Sequence, residues 1–166
     1  MGLVRRFLVV VALGSIVRMW LVQSQLPSRI ATHFDAAGTA NGWLSPSGLV
    51  AFHVALLALM LIVFLVLPRL VRRLPVAAIN VPNRDHWLAP ERREATLQRI
   101  EDWMAALGLL VVGGIALLEE LVVRASLPGG DGRLPLTPLV GVLAALLVGG
   151  VGWTIGFMRL WRVAPR

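Results

Sequence analysis

The sequence predicts an all-α integral membrane protein, a four-helix bundle with both termini cytoplasmic. Two observations carry this expectation. Four apolar stretches, about 3–22, 49–67, 103–123 and 139–160, each supply about the 20 residues a helix needs to cross ~30 Å of hydrocarbon. Arginines then crowd into alternate connections, the asymmetry that orients membrane helices. The composition agrees: 57% of the 166 residues are hydrophobic, above the roughly 45–50% of soluble domains, and mean hydropathy is +0.78.

Each arginine group has a place in this scheme. Arg5 and Arg6 precede the first span; Arg69, Arg72, Arg73, Arg84, Arg92, Arg93 and Arg99 fill the connection 68–102; Arg159, Arg162 and Arg166 end the chain. The connection 23–48 holds only Arg29, and the last connection only Arg124 and Arg133. Loop 68–102 is therefore expected in the cytoplasm and loop 23–48 outside. Trp20 and Trp43 then mark the outer interface, and Trp87, Trp103 and Trp161 the inner one. The net charge of +7 is read as topology and attraction to anionic lipid rather than nucleic-acid binding, because the arginines flank apolar stretches. The first span has the charge pattern of a signal peptide but no small-x-small cleavage site, so an uncleaved helix is expected.

Element boundaries follow from turn and cap residues. Leu26-Pro27 ends the first helix, Ser45-Pro46-Ser47-Gly48 prepares the second and Pro68 closes it. Ala89-Pro90-Glu91 opens an amphipathic helix, 91–102, whose early Glu91 and Glu94 suit a helix N-terminus and which leads into span three. Thr137-Pro138 reads as a cap and first helical position for span four. With no internal repeat, residues 1–166 are expected to form one transmembrane unit. Gly152 and Gly156 have the small-xxx-small spacing of closely packed membrane helices, within the bundle or across an oligomer seam.

The two polar connections carry the distinctive residues. The outer one is an extended piece with His33 and Asp35 on one side, a turn at Gly38, then Asn41 and an interfacial Trp43. The inner one, 79–93, is stiffened by prolines and rich in hydrogen-bonding side chains, among them Asn80, Asn83, Arg84 and Asp85. The string Ile30-x-Thr32-His33-Phe34-Asp35-x-x-Gly38-x-x-x-Gly42-Trp43 between two spans resembles the bacterial domain-of-unknown-function module of SdpI-like immunity proteins. The string Asn80-Val81-Pro82-Asn83-Arg84-Asp85-x-Trp87-Leu88-Ala89-Pro90-Glu91-Arg92-Arg93-Glu94 resembles a segment that follows the module in many small membrane relatives. Together they cover roughly the first two-thirds of the chain. The resemblance implies a bacterial plasma-membrane protein without established enzymatic activity, whose best-known relatives protect a cell from a secreted toxin and hold a transcriptional repressor at the membrane.

Four ionisable residues fall within the spans: Arg18, His53, Glu119 and Glu120. Helix rise places all four toward the outer side, on three different helices. A charge at such depth is costly unless paired or wetted, so Arg18 is expected to pair with Glu119 or Glu120, with His53 close by. A structural ion pair and a ligand, proton or metal site beneath the outer loop both fit this set. His33, Asp35, His53 and Glu119 offer donors that suit zinc, but no tight ligand motif joins them. His86 reads as a hydrogen-bonding loop residue.

Function classes narrow accordingly. The chain has no cysteine, tyrosine or lysine, and its serines lack a nucleophile-elbow context, so catalytic residues and cofactors are not expected. The leading expectation is a non-enzymatic membrane protein that recognises a partner or peptide through its loops at His33, Asp35, Asn41 and Trp43 outside and Asn80, Asn83, Arg84 and Asp85 inside. One alternative is a small accessory subunit of a larger membrane complex, or a homo-oligomer. Another is a metal- or proton-dependent transporter or membrane enzyme.

Overall fold

A computed structural model of the chain describes residues 2–35, 40–127 and 133–162. Four helices are long and apolar enough to span a membrane, and the only sheet among the described residues is a two-stranded hairpin between the first two spans.

Helix α1 is Leu3–Val22, followed by a 3-10 turn Gln23–Gln25 ahead of Pro27. Strands β1, Ile30–Phe34, and β2, Ala40–Leu44, pair antiparallel, with Ile30 opposite Leu44, Ala31 opposite Trp43 and His33 opposite Gly42. The sequence foreshadowed only an extended piece, because Ala-Asn-Gly-Trp-Leu has little strand propensity of its own. Gly42 permits the pairing: a Cβ there would lie 2.9 Å from the His33 Cβ. The expected Gly38 turn lies outside the described residues.

Helix α2, Pro46–Leu61, starts as its residues dictate, with the Ser45 hydroxyl accepting the Gly48 N–H at 3.1 Å. Pro68 does not close this span. A π-helical turn, Ile62–Val66, precedes α3, Leu67–Leu70, and a 3-10 turn continues to Arg73. Proline has no N–H and its ring crowds the carbonyl four residues back, so a widened turn lets the chain pass without breaking. After α4, Arg84–Trp87, the amphipathic segment and span three form one helix, α5, Pro90–Ser126. At ~1.5 Å per residue it is about 55 Å long, well beyond the ~30 Å of hydrocarbon. Helix α6, Leu136–Leu160, begins just before the expected cap at Thr137.

The core lies among three of the spans. Leu8 and Ala12 of α1, Leu57 and the π-turn residues Phe64 and Leu65, and Ala105 and Val112 of α5 pack together. Gly108 lets them meet, since a Cβ there would lie 2.7 Å from Phe64 and 2.9 Å from Leu8. A second cluster, Met19, Val22, Leu26, Ile30, Leu49 and Val123, fixes the hairpin onto the helix ends. Helix α6 packs mainly on α5 at the periphery and buries no residue fully. Its contacts include Leu146 on Gly114, Gly149 on Leu110, Gly156 on Trp103, and an aromatic series joining Trp103, Trp153, Phe157 and Trp161. Of the Gly152 and Gly156 pair, Gly156 packs within the bundle, whereas Gly152 faces open space.

Candidate functional site beneath the hairpin

Three polar side chains meet inside the bundle, one from each core span. The Ser15 hydroxyl of α1 lies 2.9 Å from Nε2 of His53 on α2, and His53 Nδ1 contacts the Glu119 carboxylate on α5. His53 is fully buried, and the Glu119 side chain is 14% exposed. An Nδ1–H aimed at the carboxylate fits this arrangement, and the Ser15 hydroxyl can serve Nε2 as donor or as acceptor. The two ring nitrogens thereby face one polar group each, as a low-dielectric interior favours.

Helix geometry makes the meeting possible. Ser15, His53 and Glu119 each lie about 10 Å, at ~1.5 Å per residue, from the hairpin-side ends of their helices at Val22, Pro46 and Ser126. Sequence reasoning placed His53 and Glu119 at this depth but missed Ser15. The same counting applied to polar uncharged residues finds it.

The expected ion pair takes a specific form. Arg18 reaches Glu120, at 3.4 Å, and not Glu119. Glu120 also accepts from Nε of Arg124 at 2.8 Å, one helical turn on. Arg18 and Arg124 are both well exposed, so this group lies on the outer face of α1 and α5, whereas His53 and Glu119 point inward.

Beside Glu119 a cavity of about 370 Å³ opens between the hairpin, α2 and α5. Its wall is Thr32, Leu44, Leu49, Phe52, Val122 and the Glu119 carboxylate. The volume falls in the lower part of the range of small-molecule sites, and a mainly apolar lining with one convergent polar group is typical of them.

On the hairpin, His33 Nδ1 bonds the Asn41 side-chain oxygen across the strands, and the Arg29 guanidinium sits 4.9 Å from the exposed Trp43 ring. Asp35 follows β1 at the surface. His33 is thus tied to Asn41 and not to the His53 group. Among the described residues no set of three or more His, Asp or Glu side chains could hold a metal ion.

The second predicted segment lies at the opposite, arginine-rich end of the helices. Asn83, in a left-handed conformation, donates from Nδ2 to the Trp161 carbonyl at 2.8 Å, and Trp87 Nε1 donates to the same oxygen at 3.3 Å. These bonds tie the inner loop to the end of α6. Asn80, Arg84 and Asp85 line a shallow, open depression beside them, and His86 bonds Arg92. Nearby lies an ion network the sequence did not suggest. Arg5, read as a topology signal, is buried against Glu101 and Asp102, at 2.8 Å each, and Glu101 also bonds Arg72.

The serine–histidine–carboxylate order resembles that of hydrolytic triads, but the setting differs in physics. Ser15 is in the middle of α1, where neighbouring amides are committed to the helix, so the backbone offers no oxyanion hole. The group is suited to holding Glu119 in place at the cavity wall.

The family described as Domain of unknown function (DUF1648) matches residues 9–59, about a third of the chain. The matched stretch holds Ser15, the whole hairpin and His53, and stops before the Asn80–Glu94 string and Glu119. No curated protein and no solved structure matches the chain.

Proposed function

We propose that this protein is a non-enzymatic recognition protein of the bacterial plasma membrane, of the SdpI-like immunity or signalling type, with both termini cytoplasmic and the hairpin outside. The observation that carries the reading is the cavity under the hairpin, apolar except for Glu119 and Thr32. A rigid scaffold that presents a loop over a preformed pocket is a common arrangement for recognition. In this reading His33, Asp35, Asn41 and Trp43 form the rim that meets the ligand or partner, and Asn80, Asn83, Arg84 and Asp85 meet a protein on the other side.

The test is site-specific photocrosslinking in intact cells. A photoreactive residue at Thr32 should give a discrete adduct that His33→Ala and Asp35→Ala remove while expression and thermal unfolding stay near wild type. Adducts at Ala77 and not at Thr32 would move recognition to the inner loop.

An accessory-subunit reading has one observation of its own. Helix α6 exposes Val140, Leu147, Val148 and Val151, and no side chain would obstruct a Cβ at Gly141, Gly150 or Gly152. Small residues of this kind let a second helix approach closely. An adduct from Val148 to another membrane protein, with none from Thr32, would favour it.

A further inference from the structure

We infer that the cavity under the hairpin selects an amphiphilic amine, a single apolar chain ending in a primary ammonium group that pairs with Glu119. The inference rests on the reading of this cavity as the ligand site and adds the chemistry of what enters it.

Charge complementarity carries the argument. Among the described residues Glu119 is the only ionisable group on the cavity wall, and the other five lining residues are apolar apart from the Thr32 hydroxyl. Its nearest partner, His53, is fully buried, lies on the side away from the cavity wall residues, and also contacts Ser15. The neighbouring arginines make their ion pairs elsewhere: Arg18 and Arg124 both contact Glu120, and neither is on the wall of this cavity. A carboxylate about 10 Å below the helix ends is costly unless a cation or a proton meets it. An ammonium group delivered on an apolar chain supplies both the countercharge and the filling for Leu44, Leu49, Phe52 and Val122. An anionic head group would meet Glu119 as a like charge, and a neutral one would bring no countercharge to the cavity side of the carboxylate.

Binding has a geometric requirement that the structure meets. The carboxylate must stay aimed at the cavity when the ligand is absent. The His53 contact and the Ser15 bond behind it hold Glu119 in that position from two other helices. Ser15 and His53 are therefore positioning residues, and Glu119 is the one that touches the ligand.

The experiment uses the full chain in phosphatidylcholine nanodiscs, titrated with decylammonium, decanol and decyl sulfate, each corrected against protein-free discs. Decylammonium should bind about tenfold or more tighter than decanol, the scale of a charge-assisted hydrogen bond, and decyl sulfate weakest. Glu119→Gln should bring decylammonium down to decanol. Its unfolding temperature, measured alongside, separates lost selectivity from lost structure, and the wild-type comparison needs no variant. Equal binding of all three would overturn the amine selectivity and leave the cavity as an apolar site. Binding of none would overturn the reading of the cavity itself.

Discussion

Arg5 and Glu101 form a 2.8 Å ion pair whose side chains are only 7% and 4% exposed, which locks the start of α1 to the middle of α5. Glu101 bonds Arg72 as well, so one carboxylate gathers the ends of all three core spans.

This arrangement predicts a large penalty for removing one member. Glu101→Gln removes the anion that Arg5 and Arg72 share and leaves Arg5 to the half-exposed Asp102 and Arg72 to the exposed Glu94; breaking a buried pair costs roughly 3–5 kcal/mol, and the remaining partners place the loss toward the lower end. Unfolding in mixed detergent should show the loss. The double change Arg5→Leu with Glu101→Leu should recover part of it, because no buried charge is then stranded at Arg5. A single variant as stable as wild type would show that the network is wetted and dispensable.

The polar chain inside the membrane predicts a pattern of coupling. Glu119→Gln and His53→Leu should each destabilise the protein by about 1–3 kcal/mol, since each leaves a buried partner unsatisfied. A double-mutant cycle between the two should return a coupling above ~0.5 kcal/mol. Arg18→Gln should cost about 0–1 kcal/mol, as exposed pairs do, and should not rescue Glu119→Gln. Rescue would mean that Arg18, not His53, is the working partner of Glu119.

Glycine substitutions separate close approach from open surface. Gly108→Ala forces Cβ to within 2.7 Å of Phe64 and 2.9 Å of Leu8, and overpacking of this kind costs about 1–3 kcal/mol. Gly150→Ala and Gly152→Ala meet nothing within 4 Å, so they should be neutral or slightly stabilising through helix propensity. Thermal unfolding of the three variants decides this. Destabilisation at Gly152 would point to a helix seated there.

Orientation is open to a direct measurement, helped by the absence of native cysteine. Cysteines placed at Ser28 and Arg133 should react with an impermeant thiol reagent on intact cells, and one at Ala78 should not. The reverse pattern would invert the arginine-based topology.

The number and sequence order of the apolar helices were legible in the sequence, because a bilayer demands ~20 apolar residues wherever a helix crosses. The Ser45 cap and the start of α5 after Ala89 were legible too, since cap chemistry is local. Where a local rule met a tertiary one, the tertiary one won. Pro68 should have ended a helix, yet packing of Phe64 against Gly108 and Leu8 keeps the span going through a π turn. The polar groups of the site were visible singly: His53 and Glu119 stood out as ionisable residues in apolar stretches, and their depth followed from helix rise. Their pairing did not follow, because depth along a helix is set by counting residues, whereas the direction a side chain faces depends on how the helices rotate against one another. That rotation turned Glu119 inward to His53 and Ser15, turned Glu120 outward to Arg18 and Arg124, and buried Arg5, which from sequence alone had only a topological meaning.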